Sequence, residues 1–110
     1  MGLFSKIFDN EIKDTIPEQV PVDYSNDPFH MTVEDVFTVT GRGTVVTGRI
    51  DSGIIKVGEH VNISDRLTSE VLGIELFRKK LDYAQAGDNC GIYLKDISRD
   101  DIQPGDYLTK

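Results

Sequence analysis

A chain of 110 residues that is 38% hydrophobic and 28% charged has the makings of one soluble globular domain and excludes wholesale disorder. Nineteen acids against twelve Lys and Arg give a net charge of −7, which disfavours broad binding to nucleic-acid phosphates but leaves room for a local base-reading pocket. Cys90 stands alone, so an internal disulfide and a cysteine metal cluster are both excluded.

The chain divides near Pro28. Residues 1–27 form an acidic N-terminal tail, with Asp9, Glu11, Asp14, Glu18, Asp23 and Asp27 set against Lys6 and Lys13. Within it Leu3, Phe4, Ile7 and Phe8 fall on one helical face, which predicts a short amphipathic helix over 2–13. A helix of that length is marginal in water, so it needs a surface: its own domain, a partner or a membrane face. Position 6 is Lys where a myristoylation pattern wants Ser or Thr, so lipidation is rejected. The first apolar stretch is broken by Lys6 and Asp9, no signal-peptide pattern follows, and no run reaches membrane-spanning length. The cytoplasm is the expected compartment.

From residue 28 to 110 the pattern is all-β. Strands are predicted over Met31–Thr40, Thr44–Asp51, Ile54–Val57, His60–Ser64, Thr68–Phe77 and Asp88–Lys95, with a last one at Tyr107–Leu108 after the Pro104-Gly105 turn. Ser98–Ile102 reads as one helical turn capped by Ser98. Short strands at this spacing favour a small closed barrel, which also removes exposed edges.

Alternation along a strand sorts side chains to opposite faces. Val46 and Ile50 then point into the core, and Val45, Thr47, Arg49 and Asp51 point out. In Thr68–Phe77 the inward set is Leu72, Ile74 and Leu76, and the outward set is Val71, Glu75 and Phe77. In Asp88–Lys95 the inward set is Cys90, Ile92 and Leu94, and the outward set is Asn89, Tyr93 and Lys95. Val45, Phe77 and Tyr93 would thus share the outer wall with Glu75 and Asn89, apolar surface beside hydrogen-bonding groups, which is the composition of a binding site.

Catalytic patterns are thin. Gly41-Arg-Gly-Thr-Val-Val-Thr-Gly48 is glycine-rich, but no Gly-Lys-Ser/Thr follows and no helix does, so it fails the phosphate-loop and dinucleotide patterns. Bending and close packing account for its glycines. His30 and His60 lack metal-site spacing, and no nucleophile, base and orienting group come together. Asp51, Asp100 and Asp101 read as solvated charges. Arg78-Lys79-Lys80 is the one basic run and reads as a solvated turn or as an RNA-phosphate contact. Neither an enzyme activity, a cofactor nor a metal is expected.

From Pro28 to Leu108 the sequence resembles the second domain of elongation factor Tu and related translational GTPases. The resemblance is carried by Val33-Glu-Asp-Val-Phe37, Thr40-Gly-Arg-Gly-Thr-Val-Val-Thr-Gly-Arg49, Gly53-Ile-Ile-Lys-Val-Gly-Glu59, Gly73-Ile-Glu-Leu-Phe-Arg-Lys79, Ala86-Gly-Asp-Asn89 and Ile102-Gln-Pro-Gly105. It implies a six-stranded antiparallel Greek-key closed barrel that helps hold the 3′ end of aminoacyl-tRNA and faces ribosomal RNA. The terminal adenosine and its aminoacyl ester would lie near Phe37, Arg42, Val45, Glu75, Asn89 and Tyr93. Tyr93 departs from the family's aliphatic residue, and His60–Leu72 is shorter than its counterpart.

At 110 residues there is no length for the family's GTPase domain or its third domain. One stacked base contributes about 1–3 kcal/mol and each hydrogen bond about 0.5–1.5, against an association cost of at least about 4 kcal/mol. A solitary pocket therefore binds an RNA end no tighter than millimolar. The expected function is a non-enzymatic translation-related module that contacts aminoacyl-tRNA, ribosomal RNA, a translation GTPase or another protein. The alternative is a protein–protein adaptor that keeps the barrel without RNA binding.

Overall fold

The computed structural model describes residues 27–110, and every regular element among them is a strand. The helix expected over 2–13, with the tail to residue 26, lies outside the described residues. In chain order the strands are β1 His30–Thr32, β2 Asp35–Val39, β3 Gly43–Ser52, β4 Ile54–Lys56 and β5 His60–Ile63. Then come β6 Leu67–Leu76, β7 Lys79–Leu81, β8 Tyr83–Gln85, β9 Asn89–Leu94 and β10 Tyr107–Thr109.

Six of them close a ring in the order β3–β1–β10–β5–β6–β9 and back to β3, every pair antiparallel. Consecutive ring strands β5, β6 and β9 lie side by side, while β3 joins the ring next to β9 instead of β5, which is the Greek-key connection. Alternate residues fill the inside, and Met31, Val46, Ile50, Ile63, Ile74 and Ile92 are almost wholly shielded from solvent. Gly48 is required by a close approach: a Cβ there would sit 2.1 Å from the Thr32 carbonyl oxygen, where β1 crosses β3. Among the described residues no helix is long and apolar enough to cross a membrane.

Four expectations are corrected by the backbone. Met31–Thr40 is two strands, because Val33 turns aside to exchange hydrogen bonds with the Gln103–Asp106 turn (Val33 N–H to the Asp106 carbonyl, 2.8 Å; Gly105 N–H to the Val33 carbonyl, 2.9 Å). β1 and β2 consequently lie end to end along one edge of β3. Second, β6 carries an extra residue: Tyr93 pairs with Gly73 but Leu94 with Val71, leaving Leu72 as a bulge. Val71 is therefore fully buried and Leu72 is 48% exposed, the reverse of strict alternation, and the pattern resumes inward at Ile74.

Third, the run after Phe77 is not a simple turn. β7 folds back on β6, and β8 pairs with β4 in a separate two-stranded ribbon that adds Ile55 and Ala84 to the core. Fourth, Ser98–Asp101 forms a hydrogen-bonded turn and no helix. There the Asp101 carboxylate accepts from the Ser98 N–H at 2.9 Å and from its hydroxyl at 3.1 Å. Asp101 is thus a structural acceptor, as is Asp51, whose Oδ2 meets His30 Nδ1 at 2.8 Å and accepts from the Thr32 hydroxyl at 3.0 Å.

Candidate functional site

Register lines up the outer wall in rows. In the first row Phe37 on β2 faces Val45 on β3, Val45 faces Tyr93 on β9, and Tyr93 faces Gly73 on β6. The next row runs Thr47, Gly91, Glu75 and Lys80. One step further, Asn89 faces Arg49. All of these belong to the outward set, so Val45, Glu75, Asn89 and Tyr93 share one wall as alternation along their strands indicated.

Their surroundings differ. Phe37 is half exposed and Asn89 exposed, but Val45 and Tyr93 are only 7% and 6% exposed although they point away from the core. Tyr93 is covered by Arg42, which reaches over from the turn before β3 with its guanidinium carbon 3.9 Å from the ring centroid. That is cation–π contact. Arg42 Nη1 donates to Glu75 Oε2 at 2.7 Å, and the Tyr93 hydroxyl donates to the other oxygen, Oε1, at 3.3 Å. Gly73 leaves room beneath the pair, since a Cβ there would touch Tyr93 at 3.7 Å and Arg42 Nη2 at 3.9 Å.

The charges follow from these contacts. The hydrogen bond from Arg42 holds the Glu75 carboxylate below the usual carboxylate range, and the same bond raises the Arg42 guanidinium. Burial and then the neighbouring Glu75 carboxylate push the Tyr93 phenol up. At neutral pH the trio is one ion pair resting on a neutral ring.

Asn89 stands apart. It lies four residues from Tyr93 along β9, roughly 13 Å at about 3.3 Å per residue, and bare Gly91 separates them. A Cβ on Gly91 would press on Val45 Cγ2 at 3.3 Å, so the floor between Glu75 and Asn89 is backbone. Beside Glu75, the β6–β7 hairpin turns through Phe77 and Arg78, both at positive φ (51° and 65°). Such two-residue turns normally use Asn and Gly, so two bulky residues here hold strained backbone. Phe77 is 90% exposed at the tip, and Arg78, Lys79 and Lys80 are exposed along the returning strand.

Five of the six expected pocket residues therefore cluster, the basic run adjoins them, and Asn89 marks the far end. Strand parity could not disclose that Arg42 reaches from a turn across two strands to cover Tyr93. Elsewhere, no three His, Cys, Asp or Glu residues are close enough to hold a metal ion among the described residues. Cys90 is buried, with its thiol pushed up to about 12 mainly by that burial, which keeps it protonated and unreactive at neutral pH.

Comparison with known families agrees with this architecture. The family model described as elongation factor Tu domain 2 matches residues 43–109, from the first residue of β3 to the last of β10 and more than half of the chain.

Proposed function

This chain belongs to the elongation factor Tu domain 2 family, and we propose that it serves as a non-enzymatic binding module of translation that receives an RNA 3′ end on its outer wall. In this reading Phe37, Val45 and Glu75 form the side of the site, Asn89 its far end and Arg42 with Tyr93 its near end. Arg78, Lys79 and Lys80 meet phosphates. The working compartment is the cytoplasm. What supports this reading is one observation: register brings the outward residues of β2, β3, β6 and β9 into adjacent rows beside the molecule's one basic run.

The acidity of the whole chain is no obstacle, because Arg42, Arg49 and Lys80 stand in or beside these rows, next to Arg78 and Lys79. Affinity is expected in the millimolar range, since one stacked base and a few hydrogen bonds scarcely exceed the cost of association. A tRNA or ribosomal RNA partner would therefore be held together with a second protein, a translation GTPase being the obvious class.

An NMR titration with a short aminoacylated CCA-ended RNA tests the proposal. The amide peaks of Glu75, Asn89 and the 78–80 run should move at millimolar ligand. Peaks that stay still across the wall would refute RNA-end binding. The second reading, a protein–protein adaptor, draws on Phe77, whose fully presented ring is held on strained backbone. Under that reading Phe77→Ala abolishes capture of a translation GTPase, and RNA leaves the spectrum unchanged.

A further inference from the structure

The bulge at Leu72 re-aims an apolar side chain outward, beside Arg42. Together with Val57, Gly73, Lys80 and Asp82 they line a recess of about 230 Å³. We propose that this recess is a second subsite, which takes a single nucleobase against the guanidinium of Arg42 and its phosphate on Lys80. The proposal rests on the RNA-end reading above and adds a recess, walled by Leu72 and Val57, that the reading does not use.

Three observations carry it. Tyr93, the aromatic ring on this part of the wall best placed to act as a stacking platform, is shut off at 6% exposure. The Arg42 side chain that shuts it off is itself 41% exposed, and no aromatic ring lines the recess, so Arg42 supplies its planar group. Guanidinium planes stack nucleobases as aromatic rings do. Here the guanidinium is already fixed, by Tyr93 below and Glu75 at its end, so little side-chain freedom remains to be lost on binding.

Second, the size fits one planar group. Sites for whole small molecules usually occupy roughly 300–1,000 Å³, and this recess is smaller. Leu72 and Val57 supply apolar walls, at 48% and 43% exposure, for the faces and edges of a base. Third, the local charge suits a nucleotide. Arg42 brings its own counter-ion, Glu75, so its face is offered to a base while Lys80, beside Asp82 at the rim, is the cation placed to meet a phosphate. Neutral apolar ligands would leave Lys80 unused.

In this arrangement Tyr93 is a positioning residue. It does not touch the base; it holds Arg42 in the plane the base requires. Tyr93→Leu should then weaken binding through Arg42, and Tyr93→Phe should largely preserve it, because the ring remains.

The test is an NMR titration of the full chain with the unacylated trinucleotide CCA, following the Arg42 Nε–Hε peak and the amides of Leu72 and Lys80. Those signals should shift. Arg42→Lys, which keeps the charge but lacks the plane, should bind at least about fivefold more weakly, the smallest loss expected of one stacked base. Leu72→Ala, a change at an exposed position, should also weaken binding and serves as a second probe. Shifts confined to Phe37, Glu75 and Asn89, with Arg42→Lys binding like the parent, would overturn the subsite and leave the RNA-end reading standing. No shift anywhere at millimolar CCA would overturn both.

Discussion

Among the described residues two arginine–carboxylate pairs sit on the outside of this barrel, and they are built for different ends. Arg66 grips Asp106 with both arms of its fork, each at 3.0 Å, and one arm also donates to the Asp101 carbonyl at 2.7 Å. Asp106 accepts in addition from the Ser64 hydroxyl and the Gln103 N–H, both at 2.9 Å, and its side chain is 12% exposed. That pair ties the turn after β5 to the segment that carries β10, and so helps close the ring. Arg42 instead makes one side-chain hydrogen bond among the described residues, to Glu75, and otherwise lies over a ring. Removing it would cut no strand pairing. A pair that gathers hydrogen bonds from several segments of the chain fixes the fold, whereas one held by a single hydrogen bond presents a surface.

The largest effect that would sharpen this contrast is expected at Asp106. Asp106→Ala strips acceptors from Arg66, Ser64 and Gln103 at once, and should lower stability by about 1.5–3 kcal/mol, the range for hydrogen bonds to a charged group. Urea unfolding measures it, and an unchanged midpoint would break the contrast at its structural end.

The pH dependence follows from the same residue. Contacts led by Arg66 hold the Asp106 carboxyl at about 2, below its ordinary value. A group with a depressed folded pKa contributes stability that is complete above its unfolded pKa, about 3.9, and that vanishes as pH falls through the folded value. The difference in urea midpoint between the parent and Asp106→Asn should therefore be constant from pH 7 to about 5 and shrink between about pH 4 and 2. A constant gap down to pH 2 would show that the charge is not what Asp106 contributes.

A smaller effect, of opposite sign, is expected at the hairpin tip. Replacing Phe77-Arg78 by Asn-Gly relieves two positive-φ residues and should raise stability by about 1 kcal/mol. Under the proposed RNA-end reading the same change removes the Arg78 guanidinium and should weaken RNA binding. Higher stability with undiminished binding would remove the tip from the functional side of the comparison.

How far the site could be read from the sequence differs by element. β3 is regular up to the extra residue at Asp51 and β9 keeps one register along β3, so Val45, Asn89 and Tyr93 could be assigned to the outer wall from their neighbours in the chain. β6 could not be read in full, because a bulge is defined by the partner strand: nothing in Leu67–Leu76 marks Leu72 as the unpaired residue. β7 and β8 are three residues each and rich in charge or polar groups, too short to show a period. Glu75 kept its outward assignment because the bulge lies before it. The cover of Arg42 over Tyr93 joins a turn residue to one 51 positions later, and only the folded register brings those two together. The Leu72 recess was hidden for the same two reasons combined.

The central claim is that Arg42 presents a surface while Arg66 fixes the fold, and one paired measurement tests it most directly. Arg42→Ala and Arg66→Ala would each be taken through urea unfolding and through titration with CCA-ended RNA. The expected result is a double separation: Arg66→Ala unfolds at lower urea and binds as the parent does, and Arg42→Ala unfolds as the parent does and binds more weakly. If Arg42→Ala lowers the unfolding midpoint as far as Arg66→Ala and binds RNA unchanged, Arg42 is a second structural clamp and presents no binding surface.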